Sequence, residues 1–136
     1  AGAEAHVKGV DSHGVTGDLE KIAQKYAKQA GMTVVVSGAT DIVTDGRRIV
    51  LVDNGHPMMG GISGTGCMAA SITGVFASVT DDPVIASSAS LAAFGIAGEK
   101  AAVYARCPGS FRTALFDEMA ALKPGDLVSG ARIRVR

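Results

Sequence analysis

The chain has 136 residues, enough for one domain with a core of its own. Thirteen Lys and Arg balance thirteen Asp and Glu, which argues against nucleic acid or an anionic membrane as the main partner, since both call for a basic excess. Hydrophobic residues make up 47% but aromatics only 4%, and with 18 glycines this composition suits close-packed α/β layers better than an aromatic-rich β-sandwich. Cys67 and Cys107 lie far apart, so neither a disulfide framework nor a zinc site is expected, and a reducing cytoplasm fits. No apolar run reaches membrane length, and no signal-peptide pattern is present. The opening Ala-Gly-Ala-Glu-Ala lacks Met, which suggests a processed terminus or a piece of a larger protein.

After a polar opening, residues 18–30 read as a helix. Leu19, Ile22, Ala23, Tyr26 and Ala30 recur at helical spacing, Thr16 is placed to cap the start, and Gly31 ends it. Met32 to Val36 is an unbroken apolar run, as expected of a strand buried on both faces, and Ser37-Gly38-Ala39 breaks it. Ile42-Val43-Thr44 and the run Arg48 to Val52 flank Asp45-Gly46, a hairpin signal. Asn54 to Ser63 reads as a loop. A helix follows from Cys67 to Val79, with small residues (Ala69, Ala70, Thr73, Ala77) on the face expected to pack on a sheet. Asp82-Pro83 opens a further helix to about Ala105, with Asp as cap and Pro in the first turn. Cys107-Pro108-Gly109-Ser110 reads as a turn, Phe111 to Leu122 as an amphipathic helix stopped by Pro124-Gly125, and the basic tail Ala131 to Arg136 as a short strand or a frayed end. No repeat or linker divides the chain, so residues 1–136 read as one α/β domain.

The chemistry concentrates in Gly60-Gly61-Ile62-Ser63-Gly64-Thr65-Gly66-Cys67, directly before a helix. Glycines let backbone approach a ligand, and the unpaired first-turn amides with the positive end of the helix dipole make an anion site. Thr65 is expected to add a hydroxyl donor. A Walker loop fails, because Cys67-Met68 stand where Lys-Ser/Thr is needed. Gly64, Gly66 and Ala69 formally match a dinucleotide fingerprint, but a Pro57-Met58-Met59 loop precedes them where a strand belongs and a helix follows. A plain glycine-rich helix entry without ligand is the remaining alternative. Cys67 sits where a helix favours thiolate: it is a nucleophile, a base on a bound hydroxyl, or a small residue packed under the loop. Ser37 ends a strand where open α/β sheets bind ligands, or simply forms a turn. His56 reads as a cap or solvated before it reads as a base. Asp41, Asp45 and Asp53 read as solvated turn carboxylates, Met58 and Met59 as core, and Cys107 as structural.

Taken in order, Val34-Val35-Val36-Ser37-Gly38, Asp41 to Gly46, Asn54-Gly55-His56-Pro57-Met58-Met59, Gly64-Thr65-Gly66-Cys67 and Cys107-Pro108-Gly109-Ser110-Phe111 resemble hydroxyethylthiazole kinase. Gly9-Val10-Asp11-Ser12 is similar to that family's corresponding segment, and the resemblance runs from Ala1 to about Leu122. It implies a ribokinase-like three-layer α/β sandwich with a mainly parallel central sheet, of which this chain is the C-terminal half. It implies phosphorylation of 4-methyl-5-(2-hydroxyethyl)thiazole in thiamine salvage, with ATP and Mg²⁺, in a cytoplasmic homotrimer. Gly64, Thr65 and Gly66 would form the anion hole with Cys67 as the base, Gly64 would also contact the thiazole, and Ser37 would contact ATP where relatives carry Thr. The family's Asn-x-x-Glu metal motif and an ATP-contacting arginine would precede Ala1, so no metal ligand is assigned within the chain. The other readings kept open are a sibling vitamin kinase, a non-catalytic nucleotide-binding or oligomerisation module, and thiol-based sensing at Cys67.

Overall fold

The structure, a computed structural model, describes residues 6–8, 11–13 and 19–136. Two short strands, β1 (His6–Lys8) and β2 (Asp11–His13), pair antiparallel as a separate ribbon. Thr16 and Gly9-Val10 lie outside the described residues. Helix α1 (Leu19–Ala30) follows, and then a four-stranded sheet of β3 (Val34–Val36), β4 (Asp41–Thr44), β5 (Ile49–Val52) and β6 (Ile133–Val135).

The sequence of β4 and β5 explains how the layers form. Side chains alternate across a strand, so Ile42, Ile49 and Leu51 face one way and bury with Ala23 of α1. Val43, Val50 and Val52 face the other way, against Val84, Leu91 and Ala92 of helix α3 (Pro83–Tyr104). Helices therefore cover both faces of the sheet, and each fully buried aliphatic side chain adds about 1.5–3 kcal/mol. The hairpin expected at Asp45-Gly46 is present, with Gly46 at φ +88°.

The expectation of a mainly parallel sheet is corrected among the described residues: all four strands run antiparallel to their neighbours. The four residues linking β3 to β4, and the four linking β4 to β5, are too few for the crossover that parallel pairing needs. Nor is the segment from Met32 buried on both faces. Strand β3 is the sheet edge, Met32 is 55% exposed and Val35 39% exposed.

Helix α2 (Thr65–Ala77) lies mainly along α3, joined by a 2.7 Å hydroxyl contact between Thr73 and Ser90, and only its Ala69 reaches the sheet-side cluster. Helix α3 opens as expected: the Asp82 carboxylate accepts from Val84 and Ile85 N–H at 2.9 and 3.2 Å. Helix α4 (Pro108–Ala121) buries Phe111 and Leu115 against Phe94, Ala97 and Ala101 of α3. Its start corrects the turn expected at Cys107 to Ser110, because Pro108 occupies the first helical position and Cys107 is the cap. Pro124-Gly125 likewise opens helix α5 (Pro124–Gly130) after ending the one before. No helix among the described residues is long and apolar enough to cross a membrane.

Candidate functional site

At the end of β5 the chain leaves the sheet through Asp53 and the buried Asn54, and forms a 3₁₀ helix over Pro57–Gly61. His56 caps that helix, its Nδ1 accepting from Met58 N–H at 3.2 Å, so the ring serves the backbone. Met58 and Met59 pack against the cluster of Phe94, Phe111 and Leu115, as core methionines do. Ile62 is buried in the same cluster and anchors the far side of the loop.

Gly64 then turns the chain into α2. Its φ is +95°, in the left-handed region that side-chain-bearing residues avoid, and it is the N-cap without any side-chain cap bond. A Ser or Asp at this position would hand its oxygen to a first-turn amide; glycine has none to give. Ser63 and Gly64 form a turn that leads straight into α2, Met68 N–H closes the first helical bond onto the Gly64 carbonyl at 3.0 Å, and no side chain caps the first-turn amides. The hydroxyl of Thr65 is a correction to its expected role. It donates to the Met59 carbonyl at 3.1 Å, because the 3₁₀ helix carries that acceptor past it, so Thr65 offers an anion its backbone amide only. Cys67, third residue of the helix, is an exposed free thiol.

Ser37 is exposed beyond β3, and its hydroxyl makes no hydrogen bond among the described residues. Its turn is closed by Asp41, whose Oδ1 accepts from Gly38 N–H at 2.9 Å. Asp41 is thus no solvated turn carboxylate: it is 9% exposed, and burial pushes its carboxyl up to about 6 against the opposing pull of that Gly38 bond. Asp45 and Asp53 behave differently. Backbone N–H groups of Arg48 and Arg47 hold Asp45 down at about 2, and Arg134 with the Thr40 hydroxyl holds Asp53 at about 2. Thr40 Oγ1 reaches Asp53 at 2.8 Å. This bond joins the Ser37 turn to the strand end from which the glycine loop departs. Both turns therefore stand at the same end of the sheet, with no direct bond between Ser37 and Gly64–Cys67 among the described residues. Cys107 lies apart, at the start of α4, where Ser110 Oγ accepts from its N–H at 3.2 Å. A shallow cleft lined by Lys100, Val103, Tyr104 and Glu118 includes none of these residues.

Sheet and flanking helices make this an α/β protein in which the start of α2 carries no side-chain cap. The family model "Hydroxyethylthiazole kinase family" matches residues 1–125, and the chain belongs to that family. The hydroxyethylthiazole kinase of Methanosphaerula palustris is 56% identical over 135 residues, 99% of this chain and 51% of that protein. The one from Methanoculleus marisnigri is 54% identical over 136 residues, 100% of this chain and 49% of that protein. Among solved structures, the hydroxyethylthiazole kinase protein of Pyrococcus horikoshii superposes with a TM-score of 0.83 at 41% identity, covering 87% of this chain and 46% of that one. The chain thus spans about half the length of the curated relatives it matches.

Proposed function

We propose that this chain is part of a single kinase domain that transfers the γ-phosphoryl group of ATP to the hydroxyl of 4-methyl-5-(2-hydroxyethyl)thiazole. The observation that carries the reading is the start of α2, whose first-turn amides have no side-chain cap behind a left-handed Gly64. Phosphoryl transfer asks little covalent chemistry of a protein; it asks for positioning and for donors where negative charge gathers. Family membership and the kinases of this name at above half identity support the choice of alcohol.

In this reading Gly64, Thr65 and Gly66 hold phosphoryl oxygens through their backbone, and Gly64 also borders the thiazole. Cys67 is the base. As the alcohol oxygen attacks phosphorus, an O–P bond forms, the bond to ADP breaks and leaves its electron pair on the ADP oxygen, and the alcohol proton passes to Sγ, which this step requires as the thiolate. Ser37 is assigned to ATP. Magnesium belongs to the reading through the family resemblance. The resemblance assigns its ligands to the family's Asn-x-x-Glu motif, and no step here depends on them. The ribokinase-like architecture with further, parallel strands, the homotrimer and the cytoplasmic setting belong to the same proposal. The exposed Val75 of α2 and Val79, just beyond its end, suit burial against additional protein.

The test is a phosphorylation assay on the full-length protein carrying this chain, with thiazole alcohol and ATP, with and without Mg²⁺. Cys67→Ala is expected to lower kcat by roughly a hundredfold while the KM for ATP stays nearly constant. Equal turnover removes Cys67 from the mechanism. Nucleotide binding without turnover in the unaltered protein selects the non-catalytic module instead.

A further inference from the structure

The kinase reading uses neither the basic C-terminal segment nor Asn54 at the end of β5, and the structure brings the two together in one cluster. Asn54 is 5% exposed, and both ends of its amide are used. Its Nδ2 donates to Glu99 Oε1 at 3.2 Å and to the Gly130 carbonyl at 2.9 Å, and its Oδ1 accepts from Arg132 N–H at 2.7 Å. Glu99 of α3 accepts at Oε1 from Gly55 N–H at 2.7 Å. Arg132 grips the same carboxylate with both terminal nitrogens, at 2.6 and 3.1 Å, and donates to the Asp53 carbonyl at 2.8 Å.

The effect of this cluster passes along the loop. Gly95, one turn before Glu99 on the same face of α3, lets Asn54 approach so closely that a Cβ there would stand 2.5 Å from it. Gly98 does the same for Met59, whose sulfur would lie 2.5 Å from an added Cβ. Met59 in turn receives the Thr65 hydroxyl at 3.1 Å. From Asn54 to the first residue of α2, each fixed point of the loop is thus referred to α3. An Arg–Glu pair whose arginine is 52% exposed adds little stability by itself. A fully bonded buried Asn on a shared carboxylate instead specifies one geometry.

We propose that Asn54, Glu99 and Arg132 are positioning residues, a brace through which the C-terminal strand and α3 set where the glycine turn stands for phosphoryl transfer. The inference deepens the kinase reading and rests on it for its functional half. The experiment uses the full-length protein carrying this chain, with E99A, E99Q and R132A, and reads amide hydrogen exchange beside kinetics.

In E99A, exchange at residues 54–66 is expected to rise about tenfold relative to α1 and α4, and kcat to fall roughly tenfold or more with the KM for ATP little changed. E99Q, which keeps an acceptor for Gly55, is expected to recover most of both. Should E99A fail to fold, R132A and E99Q carry the same comparison at smaller amplitude. Exchange unchanged in all three variants, or raised evenly through α1 and α4, overturns the brace. So does unaltered kcat in variants whose loop has loosened. If the unaltered protein does not phosphorylate the alcohol, the kinase reading fails, and the exchange pattern alone still decides whether the brace exists.

Discussion

The carboxyl of Asp41 is buried at the start of β4, and one of its oxygens is committed to Gly38 N–H. A folded-state value near 6 against the ordinary 3.8 means that the folded chain binds this proton more tightly than the unfolded chain does. Stability from this group is therefore greatest below about pH 4 and falls as pH rises through 6, a loss of about 3 kcal/mol by neutrality. Asp45 and Asp53, held low, work the opposite way: their contribution is present above about pH 4 and is lost as pH falls towards 2. Asp41→Asn keeps an acceptor for Gly38 without the buried charge. It is expected to raise Tm at pH 7 and to flatten the Tm profile between pH 4 and 7; parallel profiles for the two proteins would count against the assignment. The motif carrying Asp41 was plain in the sequence, but its burial was not, because that depends on how the short Ser37–Thr40 link folds back over it. A helix entered through Gly64 was legible at this scale, since a glycine before a helix states its own geometry, although the helix expected from Cys67 starts at Thr65. The hydroxyl of Thr65 was not, since its acceptor is set by the 3₁₀ helix six residues earlier.

Among the elements, α3 and the Gly46 hairpin were read from the chain almost to the residue, because each carries both a period and a stop signal. The misreadings share one cause. In the sequence Pro108 and Pro124 read as breaks after helices, whereas each stands in the first turn of the next one. The tail carried its own signal: Arg132, Arg134 and Arg136 alternate with Ile133 and Val135, the period of a strand. As β6 it pairs with β5, and its arginines reach Glu99, Asp53 and Glu20. The contact between α3 and the loop gives a further test. Gly64→Ala meets no atom within 4 Å and costs only its left-handed backbone, about 1–2 kcal/mol. Gly95→Ala drives a methyl into Asn54 side chain and backbone at 2.5–2.7 Å, an overpacking worth about 1–3 kcal/mol or more. Denaturant melts should therefore show the larger shift for Gly95→Ala, and the reverse order would show that the loop yields easily.

Across the whole molecule, an α/β fold was legible from composition and the order of elements, and helices on both sheet faces followed from the family resemblance. Strand direction was not, because a chain of alternating elements does not itself say which strands become neighbours. The expectation of parallel strands came from the family resemblance, whereas the described residues pair locally, through links too short to cross over. The strand expected to be wholly buried lies at the sheet edge for the same reason: its other side has no partner among the described residues.

Helix α3 touches β4, β5, α2, α4, α5 and the 3₁₀ helix, and fourteen of its residues are buried, whereas α1 rests mainly on β3 and β4 and buries Ala23 and Ala27. Heating should consequently release the chain in unequal portions. The turns of α1 can peel away singly, but whatever rests on α3 must let go at once, so circular dichroism should record a small early loss of helix followed by one sharp collapse. Gradual, separate melting of α2 and α4 would contradict that picture of a central axle.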